Sequence, residues 1–208
     1  ITRETSEKLF RFAFDLAHSR KAAGRGPGRV TCVDKANVFR AFAFFRGIFD
    51  EEAARHPDLV ADHAYVDATA LWMVQKPWDF DVMVTENMFG DILSDQGGGI
   101  LGSLGLMPSS CKGPDKSYYE PSHGSAPDIA GKNIANPYSM MGSVAMMLED
   151  SFGMAEESRN VWRAMQSVFG EGFSTPDLSK PGAGVTMINT DEFGDKVVGA
   201  LAAMPRPA

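Results

Sequence analysis

Phe80-Asp-Val-Met-Val-Thr85 runs directly into Glu86-Asn-Met-Phe-Gly-Asp-Ile-Leu-Ser-Asp95. The first half is a short apolar run with β-branched residues between polar ones, which predicts a strand. The second half has helical spacing over Met88 to Gln96, with Gly97-Gly98-Gly99 as an expected stop. A strand feeding a helix is the repeating unit of an α/β fold. On that helix Asp91 and Asp95 stand one turn apart on one face, where like charges repel. A divalent cation would offset the repulsion, and carboxylate oxygens suit Mg²⁺ or Mn²⁺. A solvated helix face near its N-terminus is the ordinary alternative.

The same alternation extends in both directions. An apolar stripe at Leu9, Phe10, Ala13, Phe14, Leu16 and Ala17 predicts a first helix, with Thr2 or Ser6 as its cap. After the loop Gly24-Arg-Gly-Pro-Gly28, Arg29 to Val33 reads as a strand and Val38 to Glu52 as a helix. Asp62 to Asp67 reads as a strand and Ala68 to Gln75 as a short helix. Turn residues fill Pro108 to Asn136, which reads as a loop region. Asn136-Pro137 then predicts an N-cap with proline at the first helical position, opening a helix to about Asp150. Further helices are expected over Ala155 to Gly170 and over Asp191 to Met204, ahead of the Pro-Arg-Pro tail. The loop near Pro108 to Asp115 is the expected change of domain, dividing 1–107 from 108–208.

Two more segments carry candidate chemistry. Val33-Asp-Lys-Ala-Asn37 follows a strand, the place where sites collect in α/β proteins, and Lys35 there can serve as acid or base if its surroundings tune it. Tyr65-Val-Asp67 offers a third carboxylate at another expected strand end. In Tyr119 to Pro137, glycines and small residues allow a ligand to approach the backbone, and Asp128 has the chemistry to accept from a ribose diol and repel a 2′-phosphate. Solvated loops are the plain alternative for each. Gly97 to Gly102 matches Gly-x-Gly-x-x-Gly but follows a helix rather than a strand, so it is not read as a phosphate loop.

Composition excludes some classes. The 208 residues carry a net charge of -7, which disfavours a nucleic-acid partner held by phosphate neutralisation. No stretch reaches the roughly 20 apolar residues of a membrane helix. Cys32 and Cys111 lie far apart and have no metal spacing, so two reduced thiols and a cytoplasmic setting are expected. His18, His56, His63 and His123 have no zinc spacing, and the methionines, Met140, Met141, Met146 and Met147 among them, are expected to fill the core.

Val33-Asp-Lys-Ala-Asn-Val38, Thr85-Glu-Asn-Met-Phe-Gly-Asp-Ile-Leu-Ser-Asp95 and His123-Gly-Ser-Ala-Pro-Asp-Ile-Ala-Gly131 together resemble signatures of the isopropylmalate/isocitrate dehydrogenase family, in the family's order. The resemblance implies that family's α/β fold with its N-terminal portion missing. It places 1–107 in the central dimerisation and metal-site domain and 108–208 in the cofactor-binding domain. It implies Asp67, Asp91 and Asp95 as metal ligands for Mg²⁺ or Mn²⁺, and Lys35 and Asp67 as catalytic groups serving the neighbouring subunit of a homodimer. Asn37 would lie beside the nicotinamide, and His123, Gly124, Ser125, Ala126, Asp128, Ile129 and Asn136 would hold the adenosine half of NAD. Related NADP enzymes carry lysine where this chain has Asp128.

The implied reaction is oxidative decarboxylation of 3-isopropylmalate to 2-oxoisocaproate, a step of leucine biosynthesis. Related hydroxy acids (tartrate, malate, homoisocitrate) and a non-catalytic partner subunit are the alternatives. Two local departures stand out: the phenylalanine-rich run Phe39 to Arg46, and the glycines after Gln96. Because the chain opens at Ile1 inside a helix, upstream sequence is expected to supply the substrate-clamping arginines and a catalytic tyrosine. The 208 residues alone are expected to be inactive and poorly stable.

Overall fold

The computed structural model describes residues 1–179 and 184–205, so Arg206 to Ala208 of the proline-containing tail lie outside the described residues. The chain forms two compact units, Ile1–Gly97 and Gly98–Ala208.

In the first unit a parallel sheet has the order β2-β1-β3, with β1 at Arg29–Asp34, β2 at Val60–Tyr65 and β3 at Val82–Val84. Helices α1 (Arg3–Ala22), α2 (Arg40–Ala53), α3 (Val66–Gln75) and α4 (Asn87–Leu101) alternate with the strands. The central strand is buried from Val30 to Asp34, as a strand covered on both faces must be. Val30 and Cys32 pack with Phe10 and Phe14 of α1 and Phe42, Phe45 and Phe49 of α2. Val33 packs instead with Met73 of α3 and Leu93 of α4. Of the phenylalanine-rich run, Phe42 and Phe45 therefore belong to the core. Phe10 and Phe45 meet at 4.5 Å between ring centroids and Phe14 stacks on Phe49 at 5.4 Å, while Phe39 and Phe44 remain exposed.

Thr2 caps α1, its hydroxyl accepting from the Thr5 N–H at 3.4 Å. The Gly24–Gly28 loop closes around Asp81. That carboxylate has no exposure and accepts from Arg20 Nε at 2.6 Å, Gly28 N–H at 3.0 Å and Arg29 N–H at 3.3 Å. A Cβ at Gly26 would run into the Asp81 carboxyl, so this loop encloses a structural acid rather than a ligand.

Two boundaries differ from expectation in ways that matter to function. β2 ends at Tyr65, so Asp67 lies in the first turn of α3 rather than at a strand end. Helix α4 does not stop at Gly97 but continues to Leu101. Each glycine inside a helix costs up to about 1 kcal/mol against alanine. Close packing offsets part of this, because a Cβ at Gly98 would sit 2.6 Å from Leu104 Cδ2.

The second unit contains α5 (Tyr138–Phe152), α6 (Ala155–Gly170) and α7 (Thr190–Ala203). The expected loop region includes an antiparallel hairpin, β4 (Pro108–Lys112) with β5 (Ser117–Pro121), that packs on α5. A two-residue parallel pair, β6 (Phe173–Ser174) with β7 (Thr186–Met187), was likewise invisible to periodicity. Ala164, Met165, Val168, Ile188, Phe193 and Val197 form the core. Helix α5 buries Ser139, Gly142, Ser143 and Ala145 most fully; of its methionines, Met141 packs half-buried against the core, as expected, while Met140 is 49% exposed. Small residues let the neighbours come close: a Cβ at Gly142 would fall 2.7 Å from Trp162 Cη2.

Asn189 and Glu192 form a reciprocal capping box at the start of α7, both bonds 2.9 Å. Asn189→Ala is expected to cost about 1 kcal/mol, read as a lower urea midpoint at unchanged slope. Cys32 is buried and Cys111 exposed, and both are free. Among the described residues no helix is long and apolar enough to cross a membrane.

Candidate functional site

In the first unit the candidate groups gather where β1 and β2 end and on α4. Lys35 follows β1, and its Nζ donates to Asp67 Oδ1 at 2.5 Å. The lysine side chain is mostly covered (21% exposed) while Asp67 is open (68%), so the pair presents its acid to solvent. The Lys35 hydrogen bond and the backbone N–H groups of Asp67 and Ala68 at the helix start hold the Asp67 carboxyl below the usual carboxylate range. Asn37 is exposed on the turn after β1 and has no side-chain partner among the described residues.

Helix α4 carries Asp91 and Asp95, both exposed and neither paired with a cation among the described residues. The helix is well anchored. Glu86 caps it, its carboxylate accepting from Met88 N–H at 3.0 Å and Phe89 N–H at 2.9 Å. Leu93 sits in the core, and Gln96 Nε2 donates to the Ala70 carbonyl. Among the described residues no group of three or more His, Cys, Asp or Glu is arranged to hold a metal. The structure thus brings Asp67 to Lys35 and Asp91 to Asp95, and does not gather the three carboxylates. Two open, unpaired hard-oxygen donors on one rigid face nevertheless fit a divalent cation whose other positions come from water or substrate.

In the second unit the glycine- and proline-containing segment surrounds two adjoining hollows. One, of about 370 Å³, is lined by Leu104, Gly105, His123, Ala126, Ile134 and Asn136 among others. The second, of about 460 Å³, includes Ser125, Ile129, Gly131, Asn133, Thr190 and Asp191 in its walls, and His123 and Gly124 line both. Volumes of this order suit a nucleoside-sized group. His123 Nδ1 faces the Gly124 carbonyl at 2.8 Å, which requires the proton there and leaves Nε2 to accept from Ser139 Oγ at 3.0 Å. Asn136 is buried, its Oδ1 accepting from Tyr138 N–H at 3.0 Å and its Nδ2 donating to Asp177 Oδ2 at 3.2 Å. Its amide orientation is thereby fixed. Ala126 is left-handed at φ 45°, a costly conformation for a residue with a Cβ, on the wall of both hollows.

Of the residues singled out in this segment, His123, Gly124, Ser125, Ala126, Ile129 and Asn136 line the hollows. Asp128 stands on the intervening 3-10 turn, exposed, and lines neither. Sequence reasoning missed Ser103, Leu104, Gly105 and Asp177, which close the first hollow. It also missed Arg46, which pairs with the buried Asp34. The only signal for the latter was an acid at the end of a buried strand, which calls for a polar partner.

The family profile described as isocitrate/isopropylmalate dehydrogenase matches residues 1–197. A 3-isopropylmalate dehydrogenase of Thermotoga maritima is 47% identical over 195 residues, covering 94% of this chain and 52% of the relative. The crystal structure of an isocitrate dehydrogenase from Methylococcus capsulatus superposes with a TM-score of 0.88 at 40% identity, over 97% of this chain and 57% of that one. A beta-decarboxylating dehydrogenase from Thermococcus kodakarensis gives 0.81 at 37% identity, over 97% and 56%. The chain spans about half the length of the curated relatives it matches.

Proposed function

We propose, on the premise that this chain belongs to the isocitrate/isopropylmalate dehydrogenase family, that it carries part of the active site of an NAD- and divalent-metal-dependent enzyme. The reaction is oxidative decarboxylation of 3-isopropylmalate to 2-oxoisocaproate, in leucine biosynthesis. The observation that carries this reading is the pairing of Lys35 with Asp67 in a chain whose α4 presents Asp91 and Asp95 unpaired among the described residues.

Asp91 and Asp95 would hold Mg²⁺ or Mn²⁺, with Asp67 as the third carboxylate. The metal would supply Lewis-acid polarisation of the substrate hydroxyl and carboxylate, and NAD would supply the hydride acceptor. Lys35 Nζ, which donates to Asp67 Oδ1 2.5 Å away, would take the hydroxyl proton after giving its own up through Asp67 to water. Among the described residues Asp67, Asp91 and Asp95 do not form one metal-holding group, and a homodimer in which one copy's Lys35 and Asp67 complete its partner's site would bring them together. Residues 1–107 would belong to the dimerisation and metal-site domain and 108–208 to the cofactor domain, with adenosine in the hollows around His123 and Asn136 and Asn37 beside the nicotinamide. Asp128 favours NAD, its charge repelling a 2′-phosphate.

One prediction tests the cofactor assignment. A Cβ at Gly105 would lie 2.9 Å from Asn136 Cβ and 3.2 Å from Asp177 Oδ2. Gly105→Ala is therefore expected to raise the KM for NAD about tenfold and leave the KM for the hydroxy acid unchanged.

The isocitrate and beta-decarboxylating names among the structural relatives favour a second reading, a neighbouring hydroxy acid as substrate. NADH formation by the full-length gene product with 3-isopropylmalate, malate, tartrate and homoisocitrate decides between them by kcat/KM. A partner subunit without catalysis would turn over none of the four.

A further inference from the structure

Asp34, the last residue of β1, is a fully buried carboxylate immediately before Lys35. Its Oδ1 accepts from Arg46 Nη2 at 2.7 Å and from Ala36 N–H at 2.8 Å, and its Oδ2 accepts from Arg46 Nε at 2.7 Å. Because Asp34 and Ala36 flank Lys35, this one carboxylate fixes the backbone on both sides of the lysine. The guanidinium carbon also lies over Tyr65, 5.2 Å from the ring centroid. Tyr65 is the register partner of Asp34 across the parallel strands, and it is the N-cap of α3, two residues before Asp67. A single side chain from α2 therefore grips the ends of both strands that present the Lys35–Asp67 pair.

A buried ion pair is a poor source of net stability, because desolvation cancels most of the attraction. Its strength is geometric: a planar fork held in two bonds and placed over a ring has little freedom left. We infer that Arg46 is a positioning residue for the Lys35–Asp67 pair, acting through Asp34 on one side and Tyr65 on the other. The inference rests on the functional reading above only for its effect on turnover. The alignment of the pair is a property of the protein itself.

The test uses the full-length gene product. Arg46→Lys keeps the charge but loses the fork, and Tyr65→Leu removes the ring together with its hydroxyl, which also contacts Arg46. The reactivity of Lys35 toward reductive methylation, read by peptide mass spectrometry against the exposed Lys132, reports its hydrogen bond without any turnover. Asp67→Asn is the reference for a broken pair. Lys35 is expected to react about tenfold faster in Asp67→Asn and at least about threefold faster in Arg46→Lys and in Tyr65→Leu. With turnover, kcat should fall about tenfold in Arg46→Lys while the KM values move less than about twofold. If Arg46→Lys does not fold, Tyr65→Leu alone decides. Lys35 reactivity unchanged in the variants that fold, with Asp67→Asn raised, overturns the inference, and so does no change in Asp67→Asn. Faster labelling in a protein that oxidises none of the four acids upholds the positioning and refutes the functional reading instead.

Discussion

Asp91→Asn is expected to lower metal-dependent turnover at least about a thousandfold, since a Lewis-acid metal supplies several kcal/mol to the barrier and each 1.4 kcal/mol is about tenfold. The same change should leave the thermal midpoint unchanged or slightly higher. Asp91 is exposed, pairs with nothing among the described residues and faces a like charge one turn away, so a neutral amide removes a repulsion and no contact. A variant that loses its activity while keeping or gaining stability marks a group retained for a ligand. The purified variant, assayed for NADH formation across a Mn²⁺ titration and melted in parallel, shows both effects. A loss of activity that comes with unfolding would instead make Asp91 a structural residue.

Asp81→Ala should have the opposite signature. Its carboxylate is fully buried under the Gly24–Gly28 loop and receives Arg20 and two backbone N–H groups, from Gly28 and Arg29. Deleting it leaves those donors without their acceptor, at an expected cost of about 3 kcal/mol and about 10 °C in midpoint, measurable by calorimetry. Burial pushes this carboxyl up, but the Arg20 hydrogen bond and the Gly28 and Arg29 N–H groups outweigh it, and the net direction is down. A carboxyl depressed in the folded state contributes stability that is present above its unfolded value of about 3.9 and is lost as pH falls through the folded value. The wild type should therefore lose stability below about pH 4 more steeply than the Asp81→Ala variant.

Most of the fold was legible because it is written in periodicity. The strand at Val82–Val84, the helix bearing Asp91 and Asp95 and the amphipathic α1 all follow from spacing. What could not be read was set by tertiary contact. The hairpin at Pro108–Pro121 consists of turn-rich residues that become strands only by pairing with each other. The glycines after Gln96 look like a stop, yet the helix runs through them, and at Gly98 the side chains of Leu104 and Met107 fill the space that a Cβ would take. At the site, contiguous motifs pointed to Lys35, Asp91, Asp95 and the His123 segment. Long-range partners were silent: Arg46 reaches Asp34 from α2, and Asp177 closes the hollow against Asn136 and Ser103 from far along the chain. Met140 of α5 misled because hydrophobicity alone does not say which face is small enough to approach a neighbour.

The most direct test of the central claim is the initial rate of NADH formation from 3-isopropylmalate by the full-length gene product, with saturating Mn²⁺ and again after the metal is stripped with EDTA. The account predicts steady turnover that vanishes without metal and returns when Mn²⁺ is restored. A rate indifferent to metal removal, or no NADH at all from this acid, would contradict it.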